Sequence, residues 1–196
     1  MLKLSRRVYW DSRHSEYDHA CSHQNDGGLK RLLRRLAPNA PWEQSVGERR
    51  RWAVCDRYLR KDGNLRVVEI GCAPGRILLS YHKRYGYEPW GIEYSHVGVM
   101  KSREAFVSSG LNPNHIVEAD FFSEDITERF GGFFDVVTSH GFIEHFDEPA
   151  HAVLRHVSLL RPGGFLVVVI PNLLGFNYLR VRTACPEKIA IHNFDI

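Results

Sequence analysis

Val67-Val68-Glu69-Ile70-Gly71-Cys72-Ala73-Pro74-Gly75-Arg76 runs an apolar strand into a small-residue turn and then toward a helix. Glu69 sits near the end of the apolar run, and Gly71 and Gly75 lie four apart. Glycine in a turn after a strand lets a ligand approach the backbone closely. The helix that follows directs unpaired N–H groups at whatever sits there. The stretch implies a nucleotide-type cofactor site at the end of a first strand.

Outward from this turn the chain alternates. Apolar strands are expected at 65–70, 87–93, 115–119, 133–139 and 164–170, and helices at 75–84, 96–109, 123–129 and 147–160. Arg161-Pro162-Gly163-Gly164 stops the last helix and turns into the fifth strand. Strands alternating with helices predict an α/β fold with a doubly wound, mostly parallel sheet. From Tyr9 to about Asp62 the signals are helical instead, with Leu29, Leu32, Leu33 and Leu36 spaced among Lys30, Arg31, Arg34 and Arg35. A second helix is expected from Gly47 to Leu59. Residues 1–62 therefore read as an N-terminal helical cap and 63–196 as the core.

The 196 residues carry a net charge of +3 and suit one domain with a real interior. Residues 1–66 hold 15 Lys/Arg against 8 Asp/Glu, so the charge is concentrated at the start. No aromatic-interleaved basic stripe accompanies it, so the head reads as a solvated helix face and nucleic acid is not an expected partner. Cys21, Cys55, Cys72 and Cys185 show no paired spacing, which argues against a disulfide framework or a zinc knuckle. With no long apolar run and no secretory leader, a soluble cytoplasmic protein without a membrane span is expected.

Two cofactor classes fit a strand, a glycine turn and a later acid. A dinucleotide site wants glycine at the first, third and sixth positions, where this chain has Gly71, Ala73 and Arg76. Arg76 disfavours an NAD-dependent oxidoreductase. Glu93, at the end of the second strand, can accept from a ribose diol in either class. Asp120 ends the third strand, where it can accept from an adenine amino group, with Phe121 and Phe122 beside it.

These residues resemble class I S-adenosylmethionine-dependent methyltransferases. Glu69-Ile70-Gly71-Cys72-Ala73-Pro74-Gly75 looks like their first motif, Glu93-Tyr94-Ser95 like their ribose-binding acid, and Ala119-Asp120-Phe121 like their adenine-binding acid. Phe134 to Phe146 resembles their fourth strand and the loop behind the methionine moiety, and Leu160 to Gly164 the turn before the fifth. Tyr9-Trp10-Asp11 is similar to a segment that closes over the cofactor in several members. The resemblance implies a Rossmann-like core with strand order 3-2-1-4-5 and S-adenosyl-L-methionine as cofactor. Its contacts would be Glu69, Gly71, Cys72, Ala73, Gly75, Glu93, Tyr94, Asp120, Phe121, Ser139 and Trp10. It implies methyl transfer to a small-molecule acceptor, with a hydroxyl oxygen favoured. The alternative is an inactive cofactor-binding module that needs a partner or further chain.

His145 and His140 follow the fourth strand, at the end of the sheet where ligands bind in open α/β folds. Either can serve as the base for an acceptor proton, and Glu144 can orient His145. Quinone-pathway relatives carry a further Glu three residues before Glu144, but Gly141 stands there, so no metal is expected. His14, His19, Cys21 and His23 match no ligand spacing, and Cys72 reads as a small buried residue beside the cofactor.

The family's sheet has seven strands, and Leu173 to Ile196 leaves room for one helix and a short tail. The chain is therefore expected to be C-terminally incomplete. Phe165 to Ile170 is apolar throughout and is expected to be buried on both faces. Its unpaired edge predicts either self-association or instability of the chain alone.

Overall fold

A computed structural model describes residues 6–16, 46–172, 174–184, 186–194 and 196. The leucine pattern at 29–36, with His19, Cys21, His23 and Cys185, lies outside them. Helices α1 (Arg7–Glu16) and α2 (Val46–Tyr58) precede the alternation expected from the sequence. It runs β1 (Arg66–Ile70), α3 (Arg76–Tyr85), β2 (Glu88–Glu93), α4 (His96–Ser108), β3 (Ile116–Glu118), α5 (Glu124–Phe130), β4 (Phe134–His140), α6 (Pro149–Leu159) and β5 (Leu160–Val169). Helix α7 (Phe176–Ala184) and a 3₁₀ segment (Pro186–Ile191) follow. The described residues fall into two compact units: residues up to His14 with those from Asp62 onward, and those between Ser15 and Lys61. In the second unit α2 carries the buried Trp52 and Cys55, with the Arg51 guanidinium carbon 5.0 Å from the Trp52 ring centroid.

The sheet of the first unit has the order β3-β2-β1-β4-β5, and every pair is parallel. β1 lies at its centre, with Val67, Val68 and Ile70 fully buried. Each such side chain contributes about 1.5–3 kcal/mol by burial. Val68 stands opposite Trp90 on one side and Val137 on the other. Phe121, Ile126, Phe130, Phe134 and Leu159 complete the core on one face.

Strands β1 to β4 fall within two residues of the expected bounds, and β5 does not. It starts at Leu160 because Leu160 already pairs with Phe134, after which the register shifts and Phe165 meets Val136. Residues 161–164 form an irregularity inside the strand, with Gly163 at φ +78°. Asp135 fixes it: Oδ1 lies 2.5 Å from Arg161 Nε, while Oδ2 accepts from Arg66 N–H at 2.7 Å. The expected burial of β5 on both faces is also corrected. β5 is an edge strand, Phe165 is 44% exposed, and no described strand pairs with its outer side.

The chain after α7 turns toward the loop that follows β4. Asn193 N–H donates to the Glu144 carbonyl at 2.6 Å, and Asn193 Nδ2 donates to the Phe146 carbonyl at 3.1 Å. None of the described helices is long and apolar enough to cross a membrane.

Candidate functional site

The carboxyl ends of β1, β2, β3 and β4 converge on the glycine turn. Gly71 (φ +71°) and Gly75 (φ +86°) both occupy the left-handed region that favours glycine. A Cβ on Gly71 would stand 3.1 Å from the Phe142 ring, so that ring lies directly against the turn. Gly75 N–H donates to the Cys72 carbonyl at 2.6 Å and Gly75 caps α3, whose first turn opens with Arg76. Cys72 is buried between strands: a Cβ on Gly91 would stand 2.5 Å from its Sγ. Burial first, then the nearby Glu93 and Glu69 carboxylates, hold this thiol well above its ordinary range. It packs against Gly91 and the Ser102 hydroxyl of α4.

Glu93 is the organising acid. It is 5% exposed, and its Oε1 accepts from Tyr94 N–H (2.9 Å) and Ser95 N–H (2.8 Å) while Oε2 accepts from Ala73 N–H (3.1 Å). Burial raises its pKa, and the three amides pull the other way. One carboxylate thus ties the end of β2 to the glycine turn of β1. The close fit needs Gly98, because a Cβ there would meet Ala73 Cβ at 2.8 Å and the Glu93 carboxyl carbon at 3.1 Å. Ser95 caps α4 by accepting from Gly98 N–H at 3.1 Å, which aims its own proton at Asp11 Oδ1, 2.5 Å away.

Asp11 belongs to α1, which spans the strand ends. Arg7 Nη2 donates to Glu118 Oε1 at 2.6 Å, and Lys101 Nζ donates to the His14 carbonyl at 2.6 Å. The bond from His96, with that from Arg7, holds the Glu118 carboxyl below its ordinary range. Trp10 packs edge-on against His145, with ring centroids 5.0 Å apart. The Tyr9-Trp10-Asp11 segment therefore touches the start of α4 and the loop after β4. The Arg7–Glu118 pair, Gly91 and Gly98 were not singled out from the sequence. A glycine early in α4, beside a capping serine, was the available signal.

Asp120 is half-buried after β3, with Oδ1 accepting from Phe122 N–H at 3.1 Å. Phe121 turns into the core against His156 (4.8 Å between centroids), while Phe122 stays half-buried and stacks on Phe142 at 6.5 Å. Ser139, opposite Ile70, is fully buried, and its Oγ finds no hydrogen-bond partner among the described residues. Next to it, the Thr138 hydroxyl donates to the Val167 carbonyl at 2.9 Å. It therefore accepts from His140 Nε2–H at 3.0 Å, which leaves the lone pair of this imidazole on Nδ1.

His145 sits in a different environment. Its Nδ1–H donates to the Ile191 carbonyl at 2.7 Å, and burial lowers its pKa to about 4. Glu144 is buried beside it, with its carboxyl pushed up to about 7 by burial. His192, from the segment after α7, brings its ring centroid within 4.6 Å of that of His145. The sequence did not reveal that His192 joins this pair, because nothing local signals where a tail docks.

A family described as Methyltransferase domain matches residues 17–186. The ubiquinone biosynthesis O-methyltransferase of Erwinia tasmaniensis is 29% identical over 99 residues, 50% of this chain and 39% of that protein. That of Xanthomonas axonopodis pv. citri is 31% identical over 107 residues, 55% of this chain and 43% of that protein. The chain thus spans less than half the length of these relatives. Among solved structures, the [4+2]-cyclase SpnF superposes with a TM-score of 0.57 at 23% identity, covering 82% of this chain and 57% of that one. That likeness shows the fold. The family match, the 3-2-1-4-5 sheet and the acid-bound glycine turn agree: the chain belongs to the class I, Rossmann-like family of S-adenosylmethionine-dependent methyltransferases.

Proposed function

We propose that this chain binds S-adenosylmethionine at the glycine turn and promotes transfer of its methyl group to a hydroxyl oxygen of a small molecule. The observation that carries the reading is the buried Glu93 carboxylate, bonded to the Ala73 amide across the turn. The cofactor supplies an already activated methyl group, so the protein chiefly has to align the partners and keep the site dry. The residues fit that group. Glu93 keeps acceptor capacity for a ribose hydroxyl, because a carboxylate offers about four lone-pair sites. Ser139 Oγ is a buried hydroxyl with no partner among the described residues. Asp120 would accept from the adenine amino group, and Trp10 would shield the site from water.

The hydroxyl acceptor is supported by the relatives named O-methyltransferases. His140 is the stronger candidate for its proton. The Thr138 hydroxyl fixes its tautomer, whereas burial makes His145 a weak base with a pKa near 4. A second reading, a cofactor-binding module without turnover, is favoured by the enclosure of His145 between Trp10 and Ile191. The cyclase named among proteins of this fold also shows that the fold alone does not fix the chemistry.

Incubating the protein with S-adenosylmethionine and a panel of catechols, phenols and sugars, and following methyl gain by mass spectrometry, tests the proposal. The expected result is a methylated product whose formation falls in His140→Ala while S-adenosylhomocysteine affinity holds. Cofactor binding with no product from any acceptor favours the second reading.

A further inference from the structure

On the reading of Asp120 as the acid that accepts from the adenine amino group, we propose that Arg155 of α6 sets the selectivity of the cofactor site for adenine. It does so by holding the loop after β3 through two backbone carbonyls. One guanidinium nitrogen, Nη2, donates to the Ser123 carbonyl at 2.6 Å and to the Phe121 carbonyl at 3.4 Å. That nitrogen carries two hydrogens, so both bonds form at once. The two carbonyls flank Phe122, whose N–H donates to Asp120 Oδ1 at 3.1 Å.

Bonds within the loop give it its shape. Ser123 donates to the Asp120 carbonyl with its N–H at 3.0 Å and with its hydroxyl at 2.8 Å. These close a tight turn but do not say where that turn stands in the molecule. At its start the sheet holds it, since Ala119 N–H donates to the Glu93 carbonyl at 3.0 Å. Beyond Asp120, α6 holds it. Ala152, His156 and Leu159 bury one face of this helix, which makes it a firm support. His156, next to Arg155, receives the Phe121 ring at 4.8 Å between centroids. The helix thus grips the loop by one side chain and by two carbonyls.

Selectivity for a base depends on where the accepting oxygen stands. A hydrogen bond weakens steeply with distance and angle, so a loop that drifts still encloses the cofactor but reads its base poorly. A charged donor ties the loop about twice as strongly as a neutral one, and a guanidinium keeps its charge throughout the working pH range. Arg155 is half-buried, which protects the tie from water. Arg155 acts through Asp120 and is a positioning residue. A base with a carbonyl in place of the adenine amino group turns an acceptor toward the Asp120 carboxylate, and two acceptors repel. The better Asp120 is held, the larger that penalty becomes.

The test uses the whole chain and two probes, S-adenosylhomocysteine and S-inosylhomocysteine, which carries a carbonyl in place of the adenine amino group. Calorimetry should show the wild type preferring the adenine form at least about thirtyfold. Arg155→Met keeps the length of the side chain and loses every donor, and it should lower that preference at least about fivefold. Arg155→Lys, a point charge without the planar fork, should fall between the two. Circular dichroism verifies that each variant is folded, and Arg155→Lys carries the test if Arg155→Met is not. A merely structural role would weaken both probes alike, so an undiminished preference in either folded variant overturns the proposal. Asp120→Ala should abolish the preference altogether. A preference that survives in Asp120→Ala refutes the adenine acid itself and the proposal with it. A preference lost in Asp120→Ala but intact in the Arg155 variants overturns only the role of Arg155.

Discussion

His156 should make the protein acid-sensitive. It is fully buried on α6, with Nδ1 bonded to the Ala152 carbonyl at 2.7 Å and Nε2 without a partner among the described residues. Phe121 and Phe142 pack against the ring at 4.8 and 5.8 Å between centroids. Burial lowers its pKa from 6.5 to about 4. The folded state thus binds fewer protons than the unfolded state between those values. Stability is fully present above pH 6.5 and is lost as pH falls toward 4. Two and a half units at about 1.4 kcal/mol each make the loss about 3 kcal/mol. His145, lowered to about 4, acts in the same direction. Glu144 acts in the opposite one: its folded pKa is raised to about 7, so its contribution grows as pH falls from there toward 4.5. The raw pH profile mixes these with the shifts of His14, Glu93 and Glu118, and the difference from His156→Leu isolates one. Urea unfolding at several pH values from 7 to 4 should show the wild type losing about 3 kcal/mol more than the variant. Parallel curves for the two proteins would refute the assignment of a neutral, buried His156.

Asp120→Ala should weaken S-adenosylhomocysteine binding by about 1–3 kcal/mol in calorimetry, because a ligand donor loses its acceptor. Gly91→Ala should destabilise the fold by about 1–3 kcal/mol in urea unfolding, since the added Cβ falls on Cys72 Sγ. The outer edge of β5 should drive concentration-dependent association in sedimentation experiments, with a monomer at every concentration as the contrary result.

The strand and helix alternation was legible because its periods are local, and the glycine turn with Glu93 and Asp120 was legible because each ends a strand. Where β5 begins was not legible, because Leu160 pairs with Phe134 before the Pro162-Gly163-Gly164 interruption and only the partner strand reveals that. The half-exposure of Phe165 followed from its edge position and not from its own apolar run. Trp10 could be read as covering the site, but its contact with His145 spans more than a hundred residues and has no local signature. The same holds for His192 beside Glu144 and for Arg7 on Glu118. Phe121 and Phe122 read alike as neighbours of a base, yet only the packing of α6 shows that Phe121 turns inward against His156.

The central claim is that the acid-bound glycine turn holds S-adenosylmethionine and not a dinucleotide. Calorimetric titration of the protein with S-adenosylhomocysteine and, side by side, with NAD tests it most directly. Saturable binding of S-adenosylhomocysteine, weakened in Glu93→Gln, with no heat from NAD is the predicted result. Binding of NAD in its place, or S-adenosylhomocysteine affinity that is unchanged in a folded Glu93→Gln protein, would contradict it.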